Sequence, residues 1–451
     1  MIRRLLVANR GEIAVRIIRT CRDLGIETVA VYSDADRDAL ALRLANRAVG
    51  IGEAPAAKSY LNAQAVVAAA IFTDCDAVHP GYGFLSENAE FAQLCRRRRL
   101  IFVGPLPNHI SLMGDKAAAR HAAQQAGVPV IPGSDGTVAS RVDTQRIATE
   151  IGYPILIKAA AGGGGKGMRV VASHRDLEPS LQAAQNEALA AFGDASVYLE
   201  RYLPDVRHVE VQVLGDGNDF VQLGERDCTI QRRHQKLVEE TPSPALDASQ
   251  RERLARAALQ LVRHVRYVNA GTVEFVLDNR TGEFFFIEMN TRLQVEHPVT
   301  EMTTGLDLVE HQLRIASGEP LAIDQGAIIS RGHAIECRIN AEDPARGFMP
   351  QPGTITSLSL PSGTNVRIDT HIHAGSSVSP YYDSLIAKVI VHGPDRTQAI
   401  ARMHRTLGAI DIQGITTNIT LQRAIVGDPR FVGARFNTHF LEEAPDLATV
   451  S

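Results

Sequence analysis

Short apolar runs alternate with helix-spaced stretches through the first part of the chain. An apolar run at residues 5–8 is followed by helical spacing at 12–19 and by a second apolar run at 28–32. This strand–helix–strand order is typical of a βαβ unit in a parallel sheet. The pattern continues through residues 77–83 and 100–104. It predicts a first α/β domain of about a hundred residues.

The pattern then changes twice. A helix-rich passage begins at Asp115, residues 154–158 form a strand-like run, and longer strand-like runs occupy 206–214 and 271–290. The last third alternates short strands with turns and closes in a helical pattern at 396–407. A chain of 451 residues is expected to form roughly three domains. The prediction is therefore a mixed fold, α/β first and α+β afterwards.

Composition narrows the class of protein. Hydrophobic residues make up 45% and charged residues 22%, and the formal net charge of −4 argues against a protein coated by nucleic acid or bound to a membrane surface. No segment is long enough to span a bilayer, and the first apolar run is too short for a signal peptide. The five cysteines are odd in number and far apart in sequence, so they favour neither a disulfide framework nor a zinc site. We expect a cytoplasmic enzyme.

A glycine-rich loop follows the strand that ends at Lys158. Four glycines occupy residues 162–165 and precede Lys166. Glycines leave backbone N–H groups free to approach phosphate oxygens, and lysines add positive charge. The loop lacks the Gly-Lys-Ser/Thr of a Walker A motif, and the turn after the first strand is not G-x-G-x-x-G, so no nicotinamide cofactor is supported. A flexible surface loop is the alternative.

Residues 271–290 predict a hairpin with acidic side chains on one face. A strand at 271–278, a turn at 279–282 and a returning strand at 283–290 would place Glu274 beside Glu288, with Asn290 on the same face. Carboxylate and amide oxygens suit Mg²⁺ or Mn²⁺ holding nucleotide phosphates. If the chain stays extended, Arg292, Gln294 and Glu296 continue that face. A solvated sheet face is the alternative.

A third segment, residues 225–236, combines five basic or histidine side chains with Gln231 and Gln235. Its local positive charge predicts an anion site, and a solvated basic helix or turn is an equal alternative. Cys228 lies within the segment and is a candidate for modification by thiol reagents, although no chemistry requires it.

Six motifs give the chain its resemblance to biotin carboxylases. They occur in the order and approximate spacing of that family and cover essentially the whole chain. The motifs are ANRGEIA (8–14), HPGYGFLSEN (79–88), MGDK (113–116), RDC with QRRHQK (226–236), FIEMNTRLQVEHP (286–298) and ECRINAED (336–343). The glycine-rich loop is similar to the lid of ATP-grasp ligases.

The resemblance implies three domains. These are a Rossmann-like N-terminal domain at 1–113, an ATP-grasp core at 114–330 with a mobile lid at about 131–203, and a β-rich C-terminal domain at 331–446.

It also implies the site residues. ATP would be bound by Lys116, Lys158, Gly163, Gly164, Gly165, Met168, Glu200, Tyr202, Leu203, His208, Gln231, His234, Glu274 and Glu288. A pair of Mg²⁺ or Mn²⁺ ions would be held by Glu274, Glu288 and Asn290. Bicarbonate would be surrounded by Lys236, Arg292, Gln294, Val295 and Glu296. Biotin would contact Tyr82 and Arg338, and the catalytic set would be Glu296 as the base with Arg338, Arg292 and Lys236.

The activity implied is the ATP-dependent carboxylation of biotin by bicarbonate through carboxyphosphate. No AMKM-like biotin attachment motif is present, so we expect biotin on a separate carrier protein and the carboxyltransferase on other chains. Acetyl-CoA carboxylase is the leading context, although the acyl-CoA itself is not encoded here. A homodimer is the family expectation. Neither nucleic acid nor membrane is an expected partner.

Two departures from the family pattern stand outside the catalytic set. Ala161 replaces a usual lid glycine, and Arg201 replaces a common lysine. Other ATP-grasp ligases share the glycine loop and the Glu-x-Asn strand but are not expected to carry residues 292–298 and 336–343. A non-catalytic nucleotide sensor would be expected to lose a metal ligand or the base, and this chain retains both.

Two further features are interpreted as structural. The arginines at residues 96–99 are expected to form a solvated helix end. His371 and His373 have strand spacing but no third ligand nearby in sequence, so a metal site there is not favoured.

Overall fold

The protein is described by a computed structural model that covers residues 2–134, 136–138, 141–160, 168–233 and 235–449. The first part holds a parallel sheet of five strands in the order β3-β2-β1-β4-β5. Its elements are β1 Arg4–Val7, α1 Gly11–Asp23, β2 Glu27–Ser33, α2 Leu40–Leu44, β3 Arg47–Gly52, α3 Ala63–Phe72, β4 Ala77–His79, α4 Ala89–Arg97, β5 Ile101–Phe102 and α5 Pro107–Gly114. The predicted βαβ unit is confirmed.

Helix α1 forms because its apolar side chains recur every three to four residues. Ile13, Ile17 and Cys21 follow this spacing and are all buried against the parallel sheet. The helix begins at Gly11, immediately after the first strand and its loop. This places Glu12 in the first turn, at the carboxyl edge of the sheet.

The middle of the chain contains a small three-stranded sheet, β7-β6-β8, and most strands of a larger one. Its elements are α6 Lys116–Gln125, α7 Arg141–Ile151, β6 Ile155–Ala159, β7 Arg169–Val171, α8 Leu177–Phe192, β8 Val197–Arg201, β9 Val206–Asp216, β10 Phe220–Arg232, β11 Gln235–Thr241, α9 Ala248–His264, β12 Val268–Asp278, β13 Phe284–Asn290, α10 His297–Thr304 and α11 Leu308–Ala316. Asp115 accepts hydrogen bonds from the N–H groups of Ala117 and Ala118, which caps α6 and makes Lys116 its first residue.

The last part extends the larger sheet. Its elements are β14 His333–Asn340, β15 Glu342–Asp343, β16 Met349–Pro350, β17 Gly353–Thr354, β18 Ser357–Ser359, β19 Val366–Thr370, β20 Ser377–Val378, β21 Leu385–Gly393, α12 Arg396–Gly408, β22 Asp411–Gln413, α13 Ile419–Gly427 and α14 Pro429–Val432. Single 3-10 turns lie at Asp34–Asp36, Ala56–Lys58, His174–Asp176, Gln325–Ala327, Pro344–Arg346 and Pro445–Thr449.

The larger sheet is antiparallel throughout and has the order β13-β12-β9-β10-β11-β14-β21-β19. It runs without a break from the predicted core into the predicted C-terminal part, because β11 pairs with β14. Separate apolar cores lie along it, one against α6 and α9 and another against α12 and α13. The expected mixture of a parallel sheet and antiparallel sheets is confirmed. Among the described helices, none combines the length and apolarity needed to cross a membrane.

Candidate active site

A cleft of about 1120 Å³ collects the predicted site residues from all three parts of the chain. Every predicted residue that the structure describes lies along it. They are Tyr82, Lys116, Lys158, Met168, Glu200, Tyr202, Leu203, His208, Gln231, Lys236, Glu274, Glu288, Asn290, Arg292, Gln294, Val295, Glu296 and Arg338. Gly163, Gly164, Gly165 and His234 lie outside the described residues.

The floor of the cleft contains a row of charged side chains that crosses four adjacent strands. Glu288 on β13 is directly opposite Glu274 on β12, Glu274 is opposite Glu210 on β9, and Glu210 is opposite Arg226 on β10. Directly opposed residues project from the same face of an antiparallel sheet, with Cβ atoms about 5 Å apart. The predicted pairing of Glu274 with Glu288 is confirmed, and Glu210 extends it.

The inner members of this row have counter-charges within the chain. Arg226 Nε donates to Glu210 Oε1 at 2.5 Å, and Lys236 Nζ lies 2.5 Å from Glu210 Oε2 and 3.0 Å from Glu274 Oε1. Burial alone would lower the pKa of Lys236, but the surrounding acidic groups raise it well above its ordinary value. Lys236 therefore stays charged in the cleft.

The outer member, Glu288, is different. Among the described residues no side chain hydrogen-bonds to it, and it is half-buried. Burial and the neighbouring charge of Glu274 raise its pKa, and the charge of Lys116 opposes this shift. Asn290 lies on the same strand and donates from Nδ2 to Glu274 Oε1 at 2.7 Å. Glu288 is therefore the member of the row whose carboxylate has no hydrogen-bond partner among the described side chains.

The segment after Asn290 does not stay extended, so the expected continuation of the strand face is wrong. Strand β13 ends at Asn290, and α10 begins at His297 with Pro298 in its first turn, a position that suits proline. The intervening turn nevertheless returns side chains to the row. Gln294 Nε2 donates to Glu274 Oε1 at 2.7 Å, and Arg292 Nη2 donates to Asn290 Oδ1 at 2.8 Å.

Glu296 precedes α10 and lies between two cations. Its Oε1 is 2.7 Å from Lys236 Nζ, and its Oε2 is 2.9 Å from Arg338 Nη2. Burial would raise the pKa of this carboxyl, but Lys236 and Arg338 hold it well below its usual range. Glu296 is therefore ionised at neutral pH and can accept a proton.

The segment at 225–236 is a strand pair, and the alternative of a solvated basic helix or turn is wrong. It forms the end of β10 and the start of β11. Arg226 is fully buried and donates to Glu210, Gln212, Thr272, Gln294 and Thr300. Cys228 is also fully buried, and burial raises the pKa of its thiol well above the ordinary value. Modification by thiol reagents is therefore not expected in the folded protein.

The end of the cleft that is formed by β6, β8 and the start of α6 carries lysines and apolar groups. Lys158 on β6 lies 2.5 Å from Glu200 on β8, while Lys116 is exposed at the start of α6. Leu156, Met168, Leu203 and Ile287 add apolar lining. His208 lies 2.7 Å from Glu274 through its Nε2. Burial alone would lower the pKa of His208, but the charge of Glu274 outweighs it and raises that pKa.

Several residues that sequence reasoning did not assign also reach the site. Glu87 accepts from Arg292 Nε at 2.9 Å, Glu210 joins the charged row, and Glu239 accepts from Arg338 Nε at 2.6 Å. A signal was present for Glu210, because it alternates with His208 and Gln212 and therefore shares one face of β9 with them. Glu87 lies within the HPGYGFLSEN motif, but its partner is 205 residues away.

Two groupings of potential metal ligands occur in the described part of the chain. They are His208 with Glu210 and Glu274, and Glu210 with Cys228 and Glu296. Neither includes His371 or His373. Both groupings share Glu210 with the charged row, and neither includes the predicted ligand Glu288.

The continuous antiparallel sheet, the small lysine-bearing sheet facing it and the acidic hairpin define an ATP-grasp enzyme. The family described as the carbamoyl-phosphate synthase L chain, ATP binding domain, matches residues 115–324. Residues 1–110 match the biotin carboxylase N-terminal domain, and residues 336–443 match the biotin carboxylase C-terminal domain.

Relatives cover nearly the whole chain. Biotin carboxylase of Nostoc sp. is 52% identical over 98% of both chains, and biotin carboxylase 1 of Bacillus subtilis is 53% identical over 98% of both. The chain belongs to the biotin carboxylase family. It is an ATP-dependent ligase by this membership, which decides against the other ATP-grasp ligases and the nucleotide sensor.

Solved structures of biotin carboxylases have the same fold as this chain. The biotin carboxylase domain dimer of Hydrogenobacter thermophilus 2-oxoglutarate carboxylase, in complex with MgADP, ADP and bicarbonate, superposes with a TM-score of 0.92 at 47% identity, covering 100% of this chain and 99% of that one. A biotin carboxylase–β,γ-ATP complex from Campylobacter jejuni gives a TM-score of 0.92 at 46% identity, covering 98% and 99%.

Proposed function

We propose that this chain carboxylates biotin with bicarbonate and ATP in a cleft divided into a nucleotide end, a metal edge and an acceptor end. The arrangement of Glu296 between Lys236 and Arg338, at 2.7 and 2.9 Å, is the observation that carries this proposal. It supplies an ionised base next to two cations, in a buried position adjoining the acidic row. The family domains would extend over residues 1–113, 114–330, with the lid at about 131–203, and 331–446.

The metal edge fits divalent cations. Glu274 and Glu288 face each other with like charge, and the pKa of Glu288 is raised by that proximity. Such a pair, with the Asn290 amide oxygen, has the hard donors that Mg²⁺ or Mn²⁺ prefers. When bound there, these ions would neutralise phosphate charge. The chain itself supplies the remaining positive charge from lysine and arginine.

The nucleotide end would hold ATP by its lysines and its apolar lining. Lys116 and Lys158 would contact the phosphates, and Met168 and Leu203 would pack on the base. The other assignments are Gly163, Gly164, Gly165, Glu200, Tyr202, His208, Gln231 and His234. The complexes of the two relatives described above, with MgADP and with β,γ-ATP, support this assignment.

The acceptor end would carry out the proton transfers. Glu296 removes the proton of bicarbonate, whose oxygen then attacks the γ-phosphorus of ATP while ADP leaves, giving carboxyphosphate. Positioning and charge neutralisation, here by Lys236 and Arg292, contribute most to such a transfer. Gln294 and Val295 would complete the bicarbonate pocket.

Carboxyphosphate then divides into CO₂ and phosphate. Phosphate takes the proton from N1′ of biotin, and the nitrogen attacks CO₂ to form N1′-carboxybiotin. Arg338 would stabilise the negative charge that develops on the ureido oxygen, while Tyr82 lines the same end. Exclusion of water protects both intermediates.

The acceptor in the cell would be biotin on a carrier protein, and separate carboxyltransferase subunits would complete an acetyl-CoA carboxylase or a related acyl-CoA carboxylase. The near-complete alignment with free-standing biotin carboxylases supports this division. A cytoplasmic location and a homodimer belong to the same proposal. The Hydrogenobacter relative is itself a domain dimer.

ATP hydrolysis measured in four mixtures tests the proposal. The purified chain is incubated with Mg²⁺ and ATP, alone and with bicarbonate, free biotin or both. We expect hydrolysis to require bicarbonate and carboxybiotin to form only in the complete mixture. Turnover that depends on ammonia or an amino acid instead of bicarbonate would contradict the proposal, as would tight ATP binding without any turnover.

A further inference from the structure

Arg338 is surrounded by more carboxyl groups than its single charge can balance. Its Nη2 lies 2.9 Å from Glu296, and its Nε lies 2.6 Å from Glu239 Oε1. Glu336 is two residues away on β14 and therefore projects from the same face of the strand. Three acidic side chains thus accompany one guanidinium behind the acceptor end of the cleft.

Glu239 and Glu336 are direct cross-strand neighbours. The register of β11 and β14 places them opposite each other, and both are 0% exposed. Like charges directly opposite across a sheet are destabilising, and burial removes the water that would screen them. Two ionised carboxylates are therefore disfavoured at this position.

The hydrogen bonds around Glu239 and Glu336 also argue against two ionised carboxylates. Glu239 Oε2 and both carboxyl oxygens of Glu336 are buried and have no hydrogen-bond partner among the described residues. The neighbouring cation Lys388 is engaged elsewhere, since its Nζ donates to the Val295 carbonyl at 2.9 Å. A proton between the two carboxyl groups would give the free oxygen of Glu239 a donor.

Charged and titratable groups of the described residues face the pair from the surrounding elements. They are Arg338 on β14, Lys388 on β21, Glu12 on α1, Tyr82 after β4, Glu296 before α10, Lys236 on β11 and the Cys228 thiol on β10. Tyr82 donates its hydroxyl hydrogen to Glu12, and Lys388 lies 3.1 Å from Glu12. Among the described residues, no cation therefore donates a hydrogen bond to Glu336.

We propose that Glu239 and Glu336 share a single proton, and that this acid pair is a positioning element which keeps only one negative charge behind Arg338. The role in positioning rests on the proposed contact between Arg338 and the ureido oxygen. With the proton in place, Arg338 is held by Glu239 and remains available to the acceptor. Loss of the proton adds a second charge that competes with the acceptor for the guanidinium.

The pKa values of the two carboxyl groups also favour a shared proton. Burial, reinforced by the charge of Glu296 and opposed by Arg338, raises the pKa of Glu239 to about 7. Burial raises the pKa of Glu336 well above its ordinary value, and the charge of Glu239 adds to that effect while Lys388 opposes it.

Infrared spectroscopy tests the shared proton without reference to activity. The difference spectrum between wild type and Glu336→Gln at pH 7 is expected to show the loss of one protonated carboxyl band. Glu240→Gln is the matched control, because Glu240 is a buried neighbour on β11 whose pKa is lowered by His333 and Arg396. The control should lose no such band. A band lost in both variants, or in neither, would overturn the shared proton.

Steady-state kinetics tests the positioning role of the Glu239–Glu336 pair. In wild type, kcat/KM for free biotin should fall on the alkaline side as the shared proton is lost. In Glu336→Gln, whose amide stays neutral, that fall should move upward by about one pH unit or more. Bicarbonate-dependent ATP cleavage without biotin should have the same pH profile in both proteins. Identical biotin profiles would overturn the positioning role.

The thermal stability of the protein tests the shared proton without a measurement of enzyme activity. An acid with a raised pKa in the folded state makes the protein less stable as pH rises from its unfolded pKa to its folded pKa. The melting temperature of wild type should therefore fall relative to Glu336→Gln between pH 5 and 7. A constant difference would count against the proton. If Glu336→Gln does not fold, absence of any protonated carboxyl band in wild type at pH 7 overturns the proposal.

Failure of biotin carboxylation in wild type would be a different result. It would contradict the proposed function, whereas the infrared difference would still report on the proton.

Discussion

The metal edge and the acceptor end of the cleft are both rich in carboxylates, but they balance charge in opposite ways. At the acceptor end, Glu296 has Lys236 and Arg338 within 3 Å, and its pKa is held low. At the metal edge, Glu288 faces Glu274, and its pKa is raised. Glu296 is thus paired with the chain's own cations, as is Glu274 through Lys236, whereas Glu288 has no ion-pair partner among the described residues.

The largest effect should come from the base. Glu296→Gln keeps the size of the side chain but cannot accept the proton of bicarbonate, so bicarbonate-dependent ATP cleavage should fall by about 10²–10⁴-fold. ATP binding, measured by calorimetry, should stay within about threefold, since the nucleotide end is unchanged. Turnover near the wild-type rate would remove Glu296 from its proposed role.

A smaller effect is expected at the metal edge. Glu288→Gln removes one charged ligand, and the concentration of Mg²⁺ needed for half-maximal ATP cleavage should rise by about 10–100-fold. Excess Mg²⁺ should restore much of the rate, which it should not do for Glu296→Gln. Glu283→Gln, an exposed acidic residue next to the same strand, serves as the control and should leave the Mg²⁺ requirement unchanged.

Acidification should separate the two regions as well. The pKa of Glu288 is raised, so protons should compete with Mg²⁺, and the apparent Mg²⁺ affinity should weaken as the pH is lowered from neutrality. Glu296 should remain ionised throughout. Titration of Mg²⁺ at several pH values checks this, and the pH dependence should be weaker in Glu288→Gln. An equal dependence in both proteins would show that another group is responsible.

The smallest effect concerns Cys228. Its thiol is fully buried beside Glu210, and its pKa is raised, so a maleimide should not label it in the folded protein. Mass spectrometry of labelled peptides, with urea-unfolded protein as the positive control, measures this. Rapid labelling of the native protein would show that the acceptor end opens far more readily than its charge pairing suggests.

The comparison also shows how far sequence alone reaches. The hairpin that brings Glu274 near Glu288 was predictable, because a short turn joins its two strands. Their direct pairing was not predictable, because the register set by the turn would place Ile287 opposite Glu274, and a bulge between Glu274 and Phe275 shifts the pairing to Glu288. The continuous sheet across residue 330 was not predictable either, since it depends on the pairing of β11 with β14, which are distant in sequence. Local patterns specify hairpins well and long-range strand neighbours poorly.

The same distinction applies to the site. Arg292, Gln294 and Glu296 line the cleft through a turn that leads into α10, and not through a continuation of the extended strand. Glu210 and Glu239 escaped assignment, because their roles arise from partners on other strands. The motifs supplied the family, whereas the balance of charges required the folded sheet.

The most direct test of the division between the two regions is Arg338→Ala, assayed for both reactions in one preparation. Carboxybiotin formation should fall by about 10²-fold or more, because the guanidinium would no longer stabilise the negative charge on the ureido oxygen. Bicarbonate-dependent ATP cleavage without biotin should fall far less. Equal losses in the two assays would contradict the account.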